Sequence, residues 1–233
     1  MRGPVQSSPK LKKYGGKQTL IMDKKIIKWE AVFFDFDGVV LDSVDVKTKA
    51  FGEMFRKYGQ DVEDAVVDYH LQNGGVSRFE KFRYYYQNLL NQNIDEATLI
   101  NLGNQFSNLV VEKVIASPFI PGALETLKRL KEEVIPAFVV SGTPDEEIKE
   151  IIRRKDLSPF FIEVHGSPRK KWDITLEILS KYSYISRDCI FIGDAMSDYE
   201  AADKTNMNFL GIVQDQHDSI FPATVKYKSE VSI

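Results

Sequence analysis

The first sustained apolar run is Ala31-Val32-Phe33-Phe34, built of strand formers and closed at once by Asp35. Similar runs occupy 135–140, 161–164 and 189–192, and a weaker one occupies 208–213. Stretches with helical periodicity separate them, around 123–133, 146–154, 172–182 and 199–204. Runs that are apolar throughout suit strands covered on both faces, and their alternation with helices predicts an α/β fold. The expected core is a Rossmann-like, doubly wound parallel sheet.

The segment 44–116 breaks this rhythm, because it holds no convincing strand. Val46, Ala50, Met54, Phe55 and Tyr58 recur at helical spacing, with Gly59 as a stop. Further on, Ser77 and Glu80 have the spacing of a capping box, followed by an apolar stripe of Phe79, Phe82, Tyr86, Leu89 and Leu90. Pro118 to Gly122 returns the chain to the α/β pattern. The predicted organisation is a core of 26–43 and 117–233 interrupted by a helical cap at 44–116. Residues 1–25 are polar, Gly- and Lys-rich and without periodicity, and are expected to form a disordered leader.

Composition narrows the class of partner. Hydrophobic residues make up 43% of the 233, enough for a sizeable core, and the net charge of −3 offers no general attraction to nucleic acid or anionic lipid. The single cysteine, Cys189, sits inside an apolar run and cannot form an internal disulfide. No stretch approaches the ~20 apolar residues of a membrane span, and no signal-peptide pattern is present. A cytoplasmic protein with no nucleic-acid or membrane partner is the expectation.

The candidate chemistry lies where the apolar runs end. In an open parallel sheet, ligands bind beyond the carboxyl ends of the strands. There the chain has Asp35-Phe36-Asp37-Gly38, Ser141-Gly142-Thr143, and Gly193-Asp194 with Asp198 beyond; Lys170-Lys171 follows the remaining run. So many carboxylates facing one site require a cation. An all-oxygen set that leaves room for water and phosphate suits Mg²⁺ better than Ca²⁺. Thr143-Pro144-Asp145-Glu146 has the spacing of a helix cap, so Thr143 is expected to be structural. Asp42 and Ser43 likewise suit a helix entry.

The run from Asp35 to Ser43 resembles the first motif of the haloacid-dehalogenase superfamily in its phosphatase form. Ser141, a lysine in Gly166 to Lys171, and Gly193 to Asp198 resemble the second, third and fourth motifs, over 31–213 in all. The resemblance implies that Asp35 is the nucleophile, that Asp37 is the general acid and base, and that Lys171 neutralises charge, with Lys170 the alternative lysine. It implies metal ligation by Asp35, the Asp37 carbonyl and Asp194, phosphate contacts from Ser141 and the Gly142 N–H, and a supporting role for Asp198. Gly74 to Arg78 resembles the cap segment of β-phosphoglucomutase, which makes Arg78 a candidate substrate contact.

The implied activity is Mg²⁺-dependent hydrolysis of a small phosphorylated metabolite through an aspartyl-phosphate. A phosphomutase and a catalytically idle binding module are the alternatives. Gly193 stands where the mutase has an acid, which favours hydrolysis. Asp37 argues against dehalogenation, and no cap lysine is identifiable for phosphonate cleavage.

Overall fold

The computed structural model describes residues 29–213 and 220–233. The expected leader, 1–25, lies outside the described residues. Six parallel strands form one sheet in the order β3-β2-β1-β4-β5-β6: β1 Ala31–Phe34, β2 Ala137–Pro144, β3 Glu163–Ser167, β4 Cys189–Gly193, β5 Asn208–Ile212 and β6 Tyr227–Lys228. Every residue of β1 is fully buried, as expected for a central strand covered on both faces.

The strand period of two divides β1 between two apolar layers. Val32 and Phe34 face the layer that holds Ile148, Ile151 and Leu127, while Ala31 and Phe33 face the layer of Ile174, Ile178 and Ala201. The first layer is closed by α5 (Ala123–Glu132) and α6 (Asp145–Arg154), the second by α7 (Lys171–Tyr182) and α8 (Met196–Lys204). Phe33 stacks between Phe138 and Phe191, with ring centroids 5.1 and 6.3 Å away. Burying one such side chain stabilises the fold by about 1.5–3 kcal/mol. This is the doubly wound sheet that the alternation predicts.

Between β1 and α5 the chain makes four helices: α1 Val44–Phe55, α2 Gln60–Gln72, α3 Arg78–Tyr84 and α4 Glu96–Ala116. Their shared core is aromatic. Phe51 packs within 6 Å of His70, Phe82, Tyr85 and Phe106.

Several local expectations are corrected. A 3₁₀ turn, Arg56–Tyr58, follows α1 before Gly59. A π turn over Tyr85–Leu89 follows α3, and Tyr85, which the expected stripe leaves out, is fully buried one turn after Phe82. Ser77 accepts from the Phe79 N–H, but Glu80 turns to Lys170 instead of closing the capping box. Strand β2 continues through Ser141-Gly142-Thr143 to Pro144, and Thr143 caps nothing. The short, exposed β6 carries no apolar run of its own, which is why the pattern does not show it.

Candidate active site

The strand order reverses direction at β1, which pairs with β2 on one side and β4 on the other. The loops after β1 and β4 therefore flank a crevice at the carboxyl edge, the usual ligand position in such sheets. Asp35 leaves β1 and Asp194 leaves β4, and α7 opens beside them with Lys171. Asp35, Asp194 and Asp198 bring carboxylate oxygens within 4.8 Å of one another. Lys171 Nζ lies 2.8 Å from Asp35 Oδ2 and 2.6 Å from Asp198 Oδ1. The other Asp35 oxygen accepts the Phe36 N–H at 2.7 Å, which fixes the carboxylate's rotation.

The charges within this group are strongly interdependent. Burial by itself would lower the Lys171 ammonium, but Asp198 and Asp35 hold it above its ordinary value. Burial and then repulsion from Asp35 and Asp198 push the Asp194 carboxyl well up. Asp198, raised first by burial, also accepts the Ala195 N–H at 3.1 Å. It thus ties the start of α8 to the lysine.

Asp37 points elsewhere. Its Oδ1 accepts the Ser43 hydroxyl at 2.6 Å, and its Oδ2 accepts the Lys47 ammonium and the Thr143 hydroxyl, the latter at 3.0 Å. Burial would raise this carboxyl, but the charge of Lys47 and the three hydrogen bonds hold it below the usual range. Lys47 also donates to Thr143 Oγ1 at 2.6 Å. Sequence reasoning missed Lys47 and assigned Ser43 and Thr143 to helix ends. The available signal was that Ser43 and Lys47 sit four residues apart, on one side of the first helical turn, close behind Asp37.

The helical insertion covers the crevice. Gly75, at φ 68°, comes so close that a Cβ there would lie 2.2 Å from Ser197 Oγ and 2.8 Å from Lys171 Nζ. A cavity of about 110 Å³ remains between insertion and sheet, lined among others by Asp35, Asp37, Lys47, Lys81, Ser141 and Asp194. Ser141 is buried, and Gly142 also lines the cavity.

Arg78 lines it too, but its guanidinium is already engaged. Nη1 donates to Glu147 Oε2 at 2.9 Å and to Ser107 Oγ at 2.8 Å, Nη2 donates to Glu147 Oε1, and the group lies over the Phe106 ring. This pair joins α3 to α6, and both side chains are buried. Beside it, Lys81 meets His70, neither of which the sequence marked as a site residue. Lys170 pairs with Glu80 at the exposed rim, so the lysine at Asp35 is Lys171.

The fold and the site together are a Rossmann-like sheet with a strand-end aspartate held by a buried lysine beneath a helical insertion. A model of the haloacid dehalogenase-like hydrolase family matches residues 29–204, and the chain belongs to that family. Among curated proteins, it is 26% identical over 199 residues to a phosphorylated carbohydrates phosphatase of Thermotoga maritima, covering 81% of this chain and 88% of the relative. It is also 26% identical to a phosphoglycolate phosphatase of Psychrobacter arcticus, covering 82% and 84% of the two chains.

Two solved structures share the fold. A haloacid dehalogenase-like family protein of Streptococcus pneumoniae has a TM-score of 0.62 at 18% identity, over 84% of this chain and 91% of its own. A β-phosphoglucomutase of Clostridium difficile has a TM-score of 0.64 at 21% identity, over 80% and 85%. Among the described residues, no helix is long and apolar enough to cross a membrane.

Proposed function

We propose that this protein is a Mg²⁺-dependent phosphomonoester hydrolase that works through an aspartyl-phosphate on Asp35. The observation that carries this reading is the placement of two differently held carboxylates on one cavity. Asp35 sits among acids against Lys171, whereas Asp37 is turned towards the insertion by Lys47, Ser43 and Thr143.

The donor set fits a hard divalent ion. It is all oxygen, and its crowded carboxylates include one, Asp194, whose ionisation is opposed by its neighbours. Asp35, Asp194 and the Asp37 backbone carbonyl would hold Mg²⁺, which when bound screens the acids from the substrate phosphate. Asp35 attacks phosphorus as the bond to the leaving oxygen breaks. Lys171 offsets the charge gathering on the phosphoryl group, and the Ser141 hydroxyl and Gly142 N–H donate to its oxygens.

Asp37 rests ionised. It takes up a proton from solvent as the incoming phosphate raises its carboxyl, and passes that proton to the leaving oxygen. It then accepts a proton from the water that hydrolyses the acyl phosphate. Gly193 favours hydrolysis over phosphoryl return. A Cβ there would lie 2.2 Å from the Asp198 Cβ, which leaves no room for an acidic side chain.

The test is phosphate release from a panel of phosphorylated sugars and short phospho-acids with Mg²⁺, measured also in Asp35→Asn. Loss on the order of a thousandfold or more is expected in the variant, and excess chelator should stop the wild type until Mg²⁺ returns. Wild-type turnover in Asp35→Asn refutes the mechanism.

A further inference from the structure

The cavity is lined by two lysines and an arginine, and two of these three are already neutralised. Lys47 is paired with Asp37, and Arg78 with Glu147. Lys81 is different. It is 2% exposed, yet among the described residues no carboxylate lies within ion-pair distance of its ammonium. Its partners are His70 alone: the ring Nδ1 at 2.8 Å and the backbone carbonyl at 3.4 Å.

An ammonium has three N–H donors, so one remains uncommitted, while the Phe51 ring lies 5.6 Å away. The histidine brings no charge, since burial and the cations Lys81 and Lys47 push it down to about 2. It serves as an acceptor through Nδ1. Charge on a buried ammonium with no anion beside it is unfavourable, and an arriving anion relieves that cost.

We propose that Lys81 is the anchor of a second anion subsite, and that the substrate is a phosphomonoester carrying a further anionic group, a carboxylate or second phosphoryl, remote from the transferred one. The inference rests on the phosphohydrolase reading for which group is transferred. It moves remote-anion recognition from Arg78, whose charge Glu147 already satisfies, to Lys81 one helical turn further on.

The electrostatic surroundings agree. Burial, then Lys47 on α1 and Lys171 on α7, lower the Lys81 ammonium to about 7, while Asp194 and Asp37 across the cavity act the other way. His70 on α2 adds no charge. An anion placed against Lys81 completes the pairing and favours its charged form.

Binding of unreactive probes tests this independently of turnover. With Mg²⁺ present, the affinities of phosphonocarboxylates and bisphosphonates of increasing chain length are compared with that of methylphosphonate, in wild type and in Lys81→Met. The best two-anion probe should bind about ten- to a hundred-fold more tightly than methylphosphonate. That ratio should collapse towards unity in Lys81→Met and partly survive in Lys81→Arg. Whether the carboxylates or the bisphosphonates show the larger ratio identifies the second anion.

Equal affinity for one- and two-anion probes in the wild type overturns the proposal, as does an undiminished ratio in Lys81→Met or no binding of any probe. Should Lys81→Met fail to fold, the wild-type ratio and Lys81→Arg still decide. Absence of phosphate release from any ester refutes the hydrolase reading instead, because the binding ratios do not depend on catalysis.

Discussion

Two buried lysines face the same crevice from opposite sides, and their surroundings could hardly differ more. Lys171, on the sheet side, lies between Asp35 and Asp198 and is held charged by both. Lys81, on the insertion side, meets a neutral histidine, a backbone carbonyl and an aromatic ring. The sheet side is thus a closed arrangement of charges ready for chemistry. The insertion side keeps a cation in reserve. Burial alone says little about a lysine's role; the presence or absence of a carboxylate beside it decides whether it stabilises the protein or waits for a ligand.

The largest effect should come from the sheet side. Lys171→Met removes the charge facing the phosphoryl group and leaves Asp35 and Asp198 unscreened, so kcat/KM should fall at least a hundred- to a thousandfold, on the order of an oxyanion-hole donor. Lys170→Ala, at an exposed ion pair, should change the rate little and stability by less than about 1 kcal/mol. Comparable rates for the two variants would show that the buried placement carries no catalytic weight.

Next comes the tie between insertion and sheet. Glu147→Gln leaves Arg78 charged and buried without its partner, which should cost about 3–5 kcal/mol of unfolding free energy. Replacing both residues with apolar ones should recover most of that, and denaturant unfolding of the single and double variants measures it. A single variant as stable as wild type would mean that the pair contributes nothing.

The last effect is read as a pH slope. Lys81 is lowered in the folded protein, to about 7, relative to the unfolded chain. Between that value and its ordinary one near 10.5 the unfolded state binds the extra proton. Stability should therefore rise with pH through that window, by up to ~1.4 kcal/mol per pH unit, relative to Lys81→Met. Below pH 7 the difference between the two should level off. A wild type and variant that track each other from pH 7 to 10 would show that burial does not depress Lys81.

How much of this was legible in the chain follows from the range of each interaction. The strands showed themselves because a central parallel strand must be apolar on both faces, and Ala31–Phe34 and Cys189–Gly193 are. Asp35, Ser141 and Asp194 were marked by their position at the ends of apolar runs. The helix-cap expectation misled at Thr143, whose hydroxyl turns to Asp37 from 106 positions away; Ser43 does stand at the start of α1, but its hydroxyl goes to Asp37. The π turn at Tyr85–Leu89 escaped because a single-period pattern has no place for a change of phase.

The sequence by itself marked the first five strands, the helical character of the insertion and the acids at the crevice, because periodicity and the chemistry at the ends of apolar runs are properties of neighbouring residues. Only the tertiary structure decided which of those charges are satisfied. It set Glu147 against Arg78, Lys47 against Asp37 and a neutral His70 against Lys81. Pairing of that kind depends on distances across the fold, between residues that no local pattern connects.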